Sequence, residues 1–141
     1  MNIERLIKTI KLDEGFSPVA YFDNEQFSYG YGCKAPYEGA IISEEKAYIL
    51  LNDEVLNAMK DFMDIYSDCQ DNINDVRAEA LCNLVFNIGK TKLLKFRKMN
   101  KAIRSNDWTT AAYEAMNSNW YKQVGKRAVR ICKELASGEK G

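Results

Sequence analysis

The sequence predicts an α+β fold, predominantly helical, with one small β-hairpin near the N-terminus. Three observations predict it. Apolar residues recur at helical spacing through most of the chain. Only the stretch from Val19 to Gly32 combines aromatic and β-compatible residues with Asp, Asn and Gly punctuation. The 141 residues suffice for one domain that buries its own core without disulfide or metal staples.

The elements follow in order. Ile3, Leu6, Ile7 and Ile10 mark a first helix over residues 2–14, with Asn2 as N-cap and Gly15 as its stop. Glu14 therefore stands at a helix end. A hairpin with its turn near Asn24 follows, placing Asp23 at the turn end of a strand, and the hairpin lobe spans about residues 14–43. Ser43, followed by Glu44 and Glu45, starts the next helix, where the macrodipole favours acids. Leu51, Val55, Met59 and Phe62 continue its apolar stripe, so a linking helix over about 44–65 is expected to join the small lobe to a helical one.

Residues 67–75 form a polar connection. Ala78 to Ile88 is apolar on most sides, the pattern of a helix buried at the centre of a lobe, and Gly89 ends it. Shorter helices are expected around 93–104, 107–117 and 125–136, with Asn106 or Asp107 as a cap and Gly138 beyond the last. The helical lobe takes in residues 66–141 and the N-terminal helix, and residues 1–141 read as a single domain.

Composition narrows the chemistry. No run approaches the roughly 18 apolar residues of a membrane span, and charges interrupt Asn2 to Lys8 where a signal peptide would be apolar. Synthesis and folding in a cytoplasm are expected. Cys33, Cys69, Cys82 and Cys132 show no metal-ligand spacing, and the chain has no histidine. A zinc site and histidine-assisted serine or cysteine hydrolysis are thereby excluded, and no cofactor is implied. The cysteines read as free thiols, with Cys82 and Cys132 on core faces.

Net charge is zero but unevenly placed: residues 1–76 hold 6 Lys/Arg against 15 Asp/Glu, and residues 77–141 hold 14 against 5. Such asymmetry fits an anionic polymer partner or two lobes that attract each other. No nucleic-acid motif accompanies it.

Acid-base chemistry must then run on carboxylates. Splitting a glycosidic bond without a metal takes one carboxylic acid to protonate the leaving oxygen and one carboxylate to activate water. Glu14 and Asp23 are the candidates. The negative end of the helix dipole beside Glu14 favours the protonated form that a general acid needs, and the polar turn suits an ionised Asp23.

Glu14-Gly15, Tyr21, Asp23 and Ser28-Tyr29-Gly30-Tyr31-Gly32 resemble the active-site segment of the phage-type lysozymes, muramidases of tailed bacteriophages. Later segments are similar in the same order: Arg77 to Leu81, Val85 to Gly89, Asn106 to Ala112, Asn119-Trp120-Tyr121 and Arg127-Ala128. The resemblance covers nearly the whole chain and implies a lysozyme-like, two-lobed fold with the cleft between the lobes.

It further implies inverting hydrolysis of the β-1,4 bond between N-acetylmuramic acid and N-acetylglucosamine in bacterial peptidoglycan. Glu14, Asp23 and Ser28 would be catalytic, Ser28 helping Asp23 to hold the water. Tyr21, Gly30, Asn87 and Arg127 would bind substrate or support the site, Arg127 matching the arginine that pairs with the catalytic glutamate. A monomeric endolysin made in the host cytoplasm and reaching the wall through a holin is the family expectation.

Three features depart from the family. Serine stands at position 28 where threonine is usual, and the interval from Asp23 is shorter. Cys33 occupies the place of a histidine, and overall neutrality replaces a strongly basic composition. Ser28, the short interval and Cys33 motivate one alternative, a catalytically impaired lysozyme-like protein that binds peptidoglycan. Another is a lytic transglycosylase, against which Asp23 argues because only hydrolysis needs an activated water. Trp120 and Tyr121 read as core before ligand, Asn83 and Asn87 share a helix face, and Lys95, Arg97, Lys98, Lys101 and Arg104 read as a solvated face.

Overall fold

The computed structural model describes all residues from Met1 to Gly141, as eight α-helices and a three-stranded antiparallel sheet. The α+β, predominantly helical class expected from the sequence is the one observed. The chain divides into two units, one of Glu4–Leu56 and one of Met1–Ile3 with Asn57–Gly141.

The first unit begins within α1 (Ile3–Glu14), whose Leu6 and Ile10 are fully buried. The Gly15 N–H donates to Lys11 O at 2.9 Å and the backbone turns at φ +68°, a left-handed end that glycine takes without strain. Strands β1 (Ser17–Asp23), β2 (Gln26–Gly30) and β3 (Cys33–Lys34) follow, in the order β1-β2-β3. Asn24 turns the β1–β2 hairpin at φ +57°, as its position predicts. The third strand and a bridge from Val19 to Ile41 extend the expected hairpin.

Helix α2 (Glu44–Ile65) starts where expected, Ser43 Oγ accepting from the Lys46 N–H at 3.1 Å. Its Ala47, Leu51 and Val55 are fully buried. An added Cβ on Gly30 would stand 2.9 Å from Ala47 Cβ, so the β2 end packs directly on this helix. Helix α1 groups with the hairpin, not with the helical lobe where the sequence places it. The contacts explain why: the Lys11 ammonium lies 5.2 Å from the ring centroids of both Tyr31 and Tyr48, and Phe16 packs on Tyr31.

In the second unit, α3 (Asp75–Ile88) is buried on nearly all sides, as its composition predicts, with Leu81, Cys82 and Leu84 at zero exposure. Asn74 caps it by accepting from the Arg77 N–H at 2.9 Å. Around it lie α4 (Lys90–Leu94), α5 (Arg97–Arg104), α6 (Trp108–Met116), α7 (Asn119–Val124) and α8 (Lys126–Ser137). The expected helix over 93–104 is divided by Phe96 at ψ 59°, and Gly125 at φ +78° separates α7 from α8.

Arg77 ties α3 to the end of α8, donating to Leu135 O at 2.8 Å and Ala136 O at 3.0 Å while its guanidinium covers Trp108. Tyr66 donates to Asn100 Oδ1 at 2.6 Å, and Asn100 donates to Leu93 O at 2.9 Å, so this buried polar pair is satisfied. All four cysteines are buried and unbridged. No helix is long and apolar enough to cross a membrane.

Candidate functional site

Strand register brings Tyr21, Asp23 and Ser28 together in the first unit. Tyr21 pairs with Ser28, and Asp23 with Gln26, across the β1–β2 hairpin. Alternation of side chains puts Tyr21 and Asp23 on one face, and Ser28, opposite Tyr21, joins them. Phe22 and Phe27 take the other face as an edge-to-face pair 5.5 Å apart. Glu14 is the last residue of α1. The Tyr21 phenol is pushed up by partial burial and by the charges of Asp23 and of Glu14. Both candidate carboxylates thus act on one hydroxyl.

Glycines make room for this arrangement. Gly32 turns at φ +78°, and a Cβ there would stand 2.8 Å from Glu14 Oε2. The Glu14 carboxylate therefore rests on bare backbone. Gly30, expected to support substrate binding, is at φ +61° and packs on Ala47, which gives it a structural role in joining sheet to helix.

Ser28 lies at zero exposure, and its Oγ has no hydrogen-bond partner. An unpaired buried hydroxyl costs about 1–3 kcal/mol, which a water or a moved carboxylate would relieve. Asp23 also borders an open groove of about 900 Å³ at the hairpin tip, together with Asn24, Glu25 and Lys34.

A third carboxylate belongs to this neighbourhood. The Cys33 thiol, nearly inaccessible, donates to the side chain of Glu54 on α2. Burial first, then the charge and hydrogen bond of Glu54 and the charge of Glu14, push Cys33 up to about 12, so it remains a thiol and a donor. Glu54 is itself raised by burial, partly offset by the thiol's donation, and raised again by the charge of Glu14. Nothing in the sequence singles out Glu54: one acid among several on α2 acquires its partners only through folding.

Asn87 and Arg127 belong to the second unit. Asn87 Oδ1 accepts from Trp120 Nε1 at 2.8 Å, so this carboxamide fixes the indole, which is nearly buried as its core assignment expects. Arg127 Nε donates to Asn83 Oδ1 at 2.9 Å. Asn87 and Trp120 line a groove of about 780 Å³ with Phe96, and Lys95, Arg97 and Lys98 stand around it.

A family model described as phage lysozyme matches residues 11–133. Two relatives from Dictyostelium discoideum are similar: probable T4-type lysozyme 2, 36% identical over 51% of this chain and 42% of its own length, and probable T4-type lysozyme 1, 33% identical over 48% and 39%. The pre-baseplate central spike protein Gp5 of Enterobacteria phage T4 is 33% identical over 47% of this chain and 12% of its own. The matched stretch thus spans about two fifths of the length of the lysozyme relatives.

Proposed function

The chain belongs to the phage lysozyme family, and from that premise we propose that it is a muramidase that hydrolyses the β-1,4 bond between N-acetylmuramic acid and N-acetylglucosamine in peptidoglycan, with inversion. What supports this is that the charges of Asp23, on the hairpin, and of Glu14, at the helix end, both raise the Tyr21 phenol. Glu14 protonates the departing oxygen. Asp23 activates water on the opposite face of the sugar, a geometry that needs carboxyls about 6.5–9.5 Å apart. Ser28, on the same sheet face as Asp23, helps to hold that water, and its unpartnered hydroxyl has the capacity to do so.

The same proposal makes the protein an endolysin that lyses its host. It would act as a monomer, be made in the host cytoplasm and reach the wall through a holin. Clearance of purified, outer-membrane-stripped Gram-negative walls tests the activity. Rapid clearing that falls about 10²–10⁴-fold in Glu14→Gln supports it, and Asp23→Asn should lose activity as well. Near wild-type turnover in Glu14→Gln would sink the assignment.

The full burial of Ser28 favours one second reading, an impaired enzyme that binds wall without cutting it. A folded wild type that pulls down wall but does not clear it is the expected signature. Mass spectrometry of product ends separates hydrolysis from transglycosylation, since an anhydro product lacks one water.

A further inference from the structure

Tyr31 stands between two glycines in the left-handed region, Gly30 at φ +61° and Gly32 at φ +78°. Glycine backbone is free to take many other conformations. The one side chain between the two is that of Tyr31, and it is buried and anchored on three sides. The Lys11 ammonium of α1 lies 5.2 Å from its ring centroid, the Phe16 ring packs at 5.3 Å and 52°, and its hydroxyl donates to Glu44 Oε1 on α2 at 3.2 Å. The same ammonium lies 5.2 Å from the ring centroid of Tyr48, also on α2.

Gly32 follows Tyr31 directly, and its bare backbone is the surface on which Glu14 Oε2 rests. Lys11 and Glu14 are three positions apart on α1 and so share a face. The contacts therefore close a circuit. Helix α1 holds Tyr31 through Lys11, Tyr31 fixes Gly32, and Gly32 backs the carboxylate that α1 presents.

We propose that Tyr31 and Lys11 are positioning residues for Glu14. A cation within about 6 Å of an aromatic centroid is attracted by the ring face, and here that attraction ties the helix bearing the general acid to the turn that seats it. The role of Glu14 as general acid rests on the function proposed above. The coupling of Lys11 to Gly32 through Tyr31 is structural and stands apart from it.

The test joins wall-clearance kinetics to nitrogen-15 relaxation of the Gly32 amide in the full chain. Lys11→Met removes the charge and keeps the length, whereas Tyr31→Leu removes the ring and leaves the charge. Each should lower kcat about threefold to tenfold with KM little changed, since a displaced catalytic group loses rate before binding. The double variant should be no slower than either alone, because each residue acts through the other. Lys11→Arg, which keeps a cation over the ring, should retain the wild-type kcat. In Lys11→Met the Gly32 amide should show microsecond-to-millisecond exchange that the wild type lacks.

Additive losses in the double variant would mean that Lys11 acts on Glu14 by its charge alone, and would overturn the proposal. A Lys11→Arg as slow as Lys11→Met, or a Gly32 amide unchanged in Lys11→Met, would overturn it too. Should Tyr31→Leu fail to fold, the Lys11 variants and the Gly32 amide decide by themselves. A wild type that clears no wall would defeat the function while leaving the Gly32 relaxation to decide the positioning.

Discussion

Gly32 presents only hydrogen where a Cβ would stand 2.8 Å from Oε2 of Glu14 and 3.2 Å from its Cδ. The position combines a left-handed backbone, at φ +78°, with contact to the candidate general acid. A side chain there meets two penalties of different kinds, one on the fold and one on the chemistry.

Gly32→Ala should accordingly separate them. The left-handed conformation costs a non-glycine residue about 1–2 kcal/mol, a fall in melting temperature of about 3–8 °C for a chain of this size. The clash displaces the Glu14 carboxylate, and wall clearance should fall about tenfold or more, since small misplacements of catalytic groups are costly. Full activity in a variant of lowered stability would show that Glu14 is not held by this contact.

Asn87→Ala should destabilise the second unit by about 1–3 kcal/mol, because it leaves the indole N–H of a nearly buried Trp120 without its acceptor. Urea unfolding followed by tryptophan fluorescence measures it. Asn87→Asp, which keeps an acceptor at that place, should lose less. An unchanged midpoint in Asn87→Ala would mean that water replaces the carboxamide.

Stability should decline at alkaline pH. Burial pushes Cys33 and Cys82 up to about 12 and Cys132 up to about 11, from the ordinary 9.0, with the charges of Glu54 and Glu79 adding to the first two. The folded chain then keeps protons that the unfolded chain releases. Stability is full below about pH 9 and falls as pH rises toward 11–12, by up to about 1.4 kcal/mol per pH unit for each thiol. Urea midpoints taken between about pH 8 and 10.5 should drop, and Cys132→Ala should lose less over that span than the wild type. Parallel curves would count against the thiols as the cause.

Much of the fold is legible because single residues punctuate it. Asn2 and Gly15 bracket α1, Ser43 opens α2, Asp107 caps α6 by accepting from the Thr110 N–H, and Gly138 ends α8 in the left-handed conformation. Six-residue α7 is too short to show a period, and the two residues of β3 offer no alternation to read. Glu14 and Asp23 are legible as candidates because carboxylate chemistry demands a pair in a chain without histidine. The placement of α1 with the hairpin is not, since it depends on Lys11 finding two tyrosine rings. Glu54 escapes notice for the same reason: its significance is a tertiary contact with Cys33.

The four buried cysteines also make the chain its own stopwatch. An alkylating reagent attacks thiolate that it can reach, and native Cys33, Cys69, Cys82 and Cys132 offer neither access nor ready ionisation. Labelling must wait for local opening, so each site records how often its own surroundings come apart. Cys33 samples one unit and the other three sample the second. A timed pulse of reagent, read peptide by peptide, would then yield separate opening rates for the two units without introducing any foreign probe.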